Sequence, residues 1–137
     1  MLRIYTDGSC EGNPGKGGWA ALIVGDGVPK VLSGGEGRTT SNRMEQTAAI
    51  KGLEATPRGA QVTVYSDSRY VVATMTRGWK RNRNQDLWAQ LDDLSASRRV
   101  RWEEVRAHTG HPENEFVNSL AQWEAGVIRR KPSWSGT

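Results

Sequence analysis

The chain carries a single cysteine, Cys10, which excludes an internal disulfide and any multi-cysteine zinc site. Long apolar runs are missing too. The longest, such as Ala20-Ala21-Leu22-Ile23-Val24, are far too short to cross a bilayer, so no membrane association is expected. The N-terminus lacks a charged region leading into an apolar segment, and no signal peptide is expected. These absences together point to a reducing compartment, the cytoplasm. Internal repeats and domain boundaries are also lacking. The expectation is one domain over residues 1–126, followed by a basic, loose tail over 127–137.

What is present suits a globular fold. A hydrophobic share of 36% beside 25% charged residues lets 137 residues bury one core. No apolar surface stripe is left over, so a monomer is expected. The net charge of +4 says little by itself, but its distribution says more. Arg77, Lys80, Arg81 and Arg83 surround Trp79 without an acid among them, and Arg129-Arg130-Lys131 lies near the end. Each cluster reads as a solvated face; the first, with its aromatic, also suits a polyphosphate backbone.

Alternation over Leu2–Thr6 predicts a first strand, stopped by Asp7-Gly8-Ser9 and followed by a Gly/Pro-rich loop over 12–18. Residues 19–24 predict a second strand with a turn at Asp26-Gly27, and Lys30 to about Glu36 a third. Asn42-Arg43-Met44-Glu45 matches a capping box opening a helix that runs to Ala55. A strand at Gln61–Tyr65 and a helix from Ser68 to about Thr76 follow. Leu87, Trp88, Leu91 and Leu94 mark a third helix, Val100–Trp102 a fifth strand, and Val117, Leu120 and Ala121 a last helix. The order βββαβααβα predicts an α/β fold: one five-stranded mixed sheet, its first three strands an antiparallel meander, flanked by helices.

Ligands of such sheets gather at the carboxyl ends of parallel strands. Asp7 is expected to end the first strand and Asp67 the fourth, with Glu45 one turn into the first helix. If the two strands are parallel neighbours, three carboxylates converge, and a divalent cation relieves their repulsion. Oxygen-only ligation selects Mg²⁺ or Mn²⁺, and two such ions can activate water and stabilise a leaving oxygen. The plainer alternative makes Asp7 and Asp67 turn or cap residues and Glu45 only the glutamate of a capping box.

Beyond spacing, a series of motifs stands in order along the chain: Tyr5-Thr6-Asp7-Gly8-Ser9-Cys10-Glu11-Gly12-Asn13-Pro14-Gly15, Thr39-Thr40-Ser41-Asn42-Arg43-Met44-Glu45, Val64-Tyr65-Ser66-Asp67-Ser68-Arg69-Tyr70-Val71, Asp86-Leu87-Trp88, and His108-Thr109-Gly110-His111-Pro112-Glu113-Asn114-Glu115. The series resembles type 1 ribonucleases H over residues 2 to 125. The resemblance implies the ribonuclease H-like fold and a metal-dependent endoribonuclease, using two Mg²⁺ ions (or Mn²⁺) to cut the RNA strand of RNA–DNA hybrids. It leaves 5′-phosphate and 3′-hydroxyl ends, and primer removal is an implied role. Asp7, Glu45 and Asp67 would bind metal, Asp7 bridging both ions, and His108 would assist proton transfer or product departure.

Substrate contacts carried over by the resemblance are Gly8, Ser9, Cys10, Gly12, Asn13, Ser41, Asn42 and Arg69 along the groove. Arg38, Thr40 and Asn84 would form a pocket for a phosphate of the DNA strand. Two departures stand out. The fourth metal ligand, usually an aspartate, is Asn118, whose amide oxygen can coordinate but brings no charge. Either three carboxylates and an amide suffice, or the chain is a hybrid-binding module with impaired catalysis. The basic handle of some members is also short here, leaving Trp79 and its neighbours either to grip the duplex or to pack on the core. Of related readings, a resolvase or integrase domain fits the helix-start and His108 motifs poorly. Met1 directly before the first strand favours a free-standing protein over a reverse transcriptase fragment.

Overall fold

The computed structural model describes residues 1–27, 29–106 and 110–135. Nine elements follow one another: β1 (Leu2–Gly12), β2 (Gly15–Val24), β3 (Lys30–Thr39), α1 (Ser41–Glu54), β4 (Gln61–Ser66), α2 (Arg69–Arg77), α3 (Gln85–Ala96), β5 (Arg99–Glu104) and α4 (Pro112–Glu124). They form one sheet of order β3-β2-β1-β4-β5, antiparallel across the first three strands. β4 joins β1 in parallel, and β5 joins β4 in parallel. The predicted element order and mixed sheet are therefore what the chain adopts.

Alternation along β1 divides the core into two halves. Ile4 faces one side, packing with Ala49, Ile50 and Leu53 of α1 and with Leu87, Trp88 and Leu91 of α3. Tyr5 faces the other side, packing with Leu22 of β2 and with Phe116, Val117 and Leu120 of α4. Trp88 is 1% exposed, so its truncation to alanine costs about 3–5 kcal/mol.

Strand lengths differ from expectation. β1 continues through Asp7, Gly8 and Ser9 to Gly12, because residues 7–12 pair with Ala20 back to Gly15 of β2. Asp7 therefore lies within a strand. The expected loop over 12–18 shrinks to a tight connection between Gly12 and Gly15, which contains a cis Asn13–Pro14 bond. Glycine clusters read as loops by composition, but here they are paired backbone.

Within the segment after Gly126, expected to be loose, two described residues contact the domain. Trp134 tilts against Phe116 with ring centroids 5.4 Å apart, and the Lys131 ammonium sits 4.8 Å above the Trp123 ring. A tryptophan beside an open aromatic surface removes enough apolar area from water to hold such a segment down.

Candidate active site

The last register pair between the parallel strands is Thr6 with Ser66. One residue further on, Asp7 and Asp67 lie side by side. Glu45 comes from the first turns of α1, and ligand oxygens of all three carboxylates lie within 4.8 Å of one another. The close approach depends on Gly8. A Cβ there would overlap Glu45 N and the Met44 backbone, so only glycine lets β1 run beneath the start of α1.

The plainer alternatives for these acids are removed one by one. α1 is capped by Thr40, whose hydroxyl accepts from Arg43 N at 3.2 Å, so Asn42 and Glu45 form no capping box. α2 is capped by Ser68, which accepts from Val71 N at 3.2 Å, so Asp67 is no cap. Asp7 sits within β1, where one carboxylate oxygen accepts from Gly8 N at 2.8 Å. None of the three acids caps a helix among the described residues.

Their electrostatics follow from crowding without a counter-charge. Burial, then the neighbouring Asp67 charge, pushes Asp7 up to about 8. Glu45 is raised as well, by burial first and then by Asp7 and Asp67. Its Oε1 is buried with no hydrogen-bond partner. A protein seldom leaves a buried carboxylate oxygen unmatched, and three converging oxygens with a spare lone pair fit a hard divalent cation. The donor set holds no sulfur or imidazole among the described residues, which disfavours zinc.

The other predicted residues that the structure describes are spread over several elements. Asn118 is half-buried on α4, the helix that covers the face to which Tyr5, and by alternation Asp7, belong. His108 lies outside the described residues. Asn13 accepts from Ser41 N at 3.1 Å, which ties the β1–β2 connection to the start of α1. Cys10 donates to Thr39 O at 3.4 Å from the same stretch of β1, with Ser9 between it and Gly8. Gly12 turns the chain at φ 79°, and Asn42 is exposed.

Beyond the start of α1, Asn84 joins Arg43 and Tyr70, whereas Arg38 stands exposed near the end of β3. Arg69 pairs with Glu104 at 3.5 Å and so is turned towards β5. Trp79 is 44% exposed, which settles against full core packing. Arg81 is not part of an open basic surface: it grips Asp92 with both nitrogens and lies 5.3 Å over Trp88.

Sequence reasoning passed over Arg43, Tyr70 and Asp86 as site residues, although all three stand inside the quoted motifs. Their partners are up to 43 residues away, and spacing carries no trace of such pairs.

The RNase H family model matches residues 1–125. The chain belongs to the RNase H family. It is 50% identical to a ribonuclease H of Thiobacillus denitrificans, over 96% of each chain. Among solved structures it is similar to the N-terminal RNase H domain of Rv2228c from Mycobacterium tuberculosis, with TM-score 0.81 and 25% identity over 91% of this chain and 93% of that one. LC9-RNase H1, described as a type 1 RNase H with the type 2 active-site motif, aligns at TM-score 0.75 and 32% identity over 91% of this chain and 72% of that one. Membership brings the family's activity, metal-dependent hydrolysis of RNA in RNA–DNA hybrids.

Proposed function

We propose that this protein cuts the RNA strand of hybrids at the Asp7–Glu45–Asp67 cluster, using Mg²⁺, with Mn²⁺ as a substitute. The single observation that carries the reading is the convergence of three carboxylates, none used as a cap, around an unmatched buried oxygen of Glu45. Bound divalent cations supply Lewis acidity at the scissile phosphate and make water a usable nucleophile at neutral pH. The protein's own part is to gather the three acids beside one another and to hold the duplex still. Asp7, whose carboxylate lies near both other acids, would be the ligand shared by two ions.

Asn118 supplies a neutral amide oxygen in place of a fourth charge, and so weakens one of the two cation sites most. LC9-RNase H1 offers a parallel, since its description places a different active-site motif on the same fold. His108, which precedes α4 in the sequence, would assist proton transfer or product departure. On the RNA side, the narrow connection from Gly12 to Gly15 and the start of α1 bring backbone and the amides of Asn13 and Asn42 towards 2′-hydroxyls that DNA lacks. On the DNA side, Thr40 and Asn84, with the charge of Arg38, receive a phosphate. Contacts of this kind read backbone shape, so little base preference is expected. The protein acts as a monomer in the cytoplasm.

The test is cleavage of an end-labelled hybrid by the protein and by its Asn118→Asp variant, in Mg²⁺ and in Mn²⁺, with RNA–RNA and DNA–DNA duplexes as controls. Cutting of the hybrid's RNA alone by both forms supports the proposal. Binding without cutting until Asn118→Asp is introduced assigns the chain to a binding module, the reading that the missing fourth charge favours. No cleavage by either form overturns the assignment.

A further inference from the structure

Arg43 joins the two groups assigned to the DNA-strand phosphate. Its backbone N–H donates to the Thr40 hydroxyl at 3.2 Å, and its guanidinium donates to Asn84 Oδ1 at 3.1 Å. The same guanidinium grips Asp86 through both nitrogens, at 3.0 and 2.7 Å. Asn84 Nδ2 in turn donates to the Tyr70 hydroxyl at 3.0 Å.

Counting the amide's bonds gives the consequence. Oδ1 is occupied by a donor, so the amide cannot flip without setting N–H against N–H. Nδ2 has two hydrogens, and Tyr70 takes one. The other remains for a ligand in a cleft of about 210 Å³, lined by Asn42, Tyr70, Lys80, Asn82, Arg83 and Asn84. Arg43 and Asp86 do not line that cleft. The Arg43 side chain meets a cleft residue at Asn84.

The backbone tells the same story. Asn84 stands at the N-cap of α3, where an asparagine ordinarily spends its side chain on the helix's own N–H groups. Here it makes no such bond and adopts φ 63° in the left-handed region. Asparagine tolerates that region better than most residues, but forgoing the cap is a cost of about 1 kcal/mol that something else must offset. The Arg43 fork and Tyr70 supply the offset and turn the amide outward.

We infer that Arg43, clamped by Asp86, is a positioning residue that fixes which end of the Asn84 amide faces the incoming phosphate. The inference rests on the reading of Asn84 as a phosphate contact. A rigid, correctly directed N–H loses no orientational freedom on binding, and a free-turning amide presents its oxygen to the phosphate about half the time. Lysine cannot substitute at position 43, because a point charge cannot hold Asp86 in a fork and Asn84 together.

The experiment is a double-mutant cycle on the full chain with a hybrid duplex of defined length and Mg²⁺. It comprises Arg43→Ala, Arg43→Lys, Asp86→Asn and Asn84→Ala, singly and in pairs with Asn84→Ala, with KM and kcat measured separately. Asn84→Ala is expected to raise KM about tenfold, the size of one hydrogen bond to a charged group. Each change at position 43 or 86 is expected to raise KM several-fold, and to add nothing once Asn84 is alanine.

A merely structural Arg43 would lower thermal stability and multiply with Asn84→Ala, which overturns the inference. No effect of Asn84→Ala on KM defeats the phosphate reading beneath it instead. Should Arg43→Ala fail to fold, Asp86→Asn, at an exposed position, carries the same cycle.

Discussion

Two polar centres flank the start of α1, and they are built on opposite electrostatic principles. On one side Asp7, Glu45 and Asp67 converge, and Asp7 and Glu45 are driven towards protonation. On the other, Arg43 and Asp86 meet as a fork, and Asn84 and Tyr70 complete a network in which each group has a partner. The first centre is incomplete by itself and gains by binding positive charge. The second has its charges already paired and gains nothing from a cation; its part is to hold one free donor in place. Crowding without neutralisation thus distinguishes the centre proposed for chemistry, and paired charge the one proposed to keep geometry.

The largest test of the contrast is removal of a charge from the incomplete centre. Asp7→Asn is expected to lower the hybrid-cleavage rate by about a thousandfold or more, since it strips the shared ligand from the cation sites. Single-turnover assays at saturating Mg²⁺ measure this. A loss under tenfold would place the reacting centre elsewhere.

The same substitution is expected to stabilise the metal-free protein, and the sign follows from linkage. Asp7 binds its proton more tightly when folded, up to about 8, than when unfolded near 3.8. Its favourable contribution is complete below the unfolded value and is lost as pH rises through the folded one. Between about pH 4 and pH 8 the metal-free protein should therefore lose stability relative to Asp7→Asn, on the order of 6 kcal/mol over the whole range, each tenfold in proton affinity being about 1.4 kcal/mol. Urea unfolding in chelator across that range measures it. Saturating Mg²⁺ should reverse the order, because the cation binds only the folded wild-type cluster tightly. A flat difference with pH would mean that folding does not raise the proton affinity of Asp7.

Much of this was written in the sequence, for identifiable reasons. Alternation in β1 and β4 sets the sheet, and the motif around Ser66-Asp67 sets the register that brings Asp7 and Asp67 together. Where reading failed, pairing between distant segments was decisive. Asp7 was expected at a strand end because Gly8 and Ser9 punctuate local structure, yet β2 supplies partners that carry β1 on to Gly12. Asn42 looked like the cap of α1 because it stands three residues before Glu45, but Thr40 provides the oxygen. Trp134 looked like part of a tail because nothing local shows the Phe116 surface that receives it. Arg43 was silent for the same reason: its guanidinium acts through Asn84 and Asp86, beyond any local window.

A middle-sized effect is expected at α4. Asn118→Asp adds the charge that the cluster lacks, and should tighten Mg²⁺ binding by about tenfold. Calorimetric titration on the hybrid-free protein measures it. It should also raise the metal-free repulsion, so that this variant is less stable than wild type in chelator and more stable in Mg²⁺. Unchanged affinity would remove Asn118 from the ligand set.

The smallest effects separate paired from unpaired bases along the α2–α3 connection. Lys80 and Arg83 line the cleft beside Asn84, whereas Arg81 is held by Asp92 and Trp88. Neutralising Lys80 or Arg83 should weaken hybrid binding a few-fold and reduce the salt slope by about one each. Arg81→Ala should leave that slope alone and instead cost on the order of 1 kcal/mol of stability, since its fork and its stacking on Trp88 belong to the fold. Trp79→Ala belongs with the first pair in affinity but not in slope, because an exposed ring stacks without releasing counterions. Filter binding at several salt concentrations, beside thermal melts, places each residue. If Arg81 moved the slope as Lys80 does, the division between bases that bind and bases that brace would fail at the connection, although the contrast between the two centres beside α1 would stand.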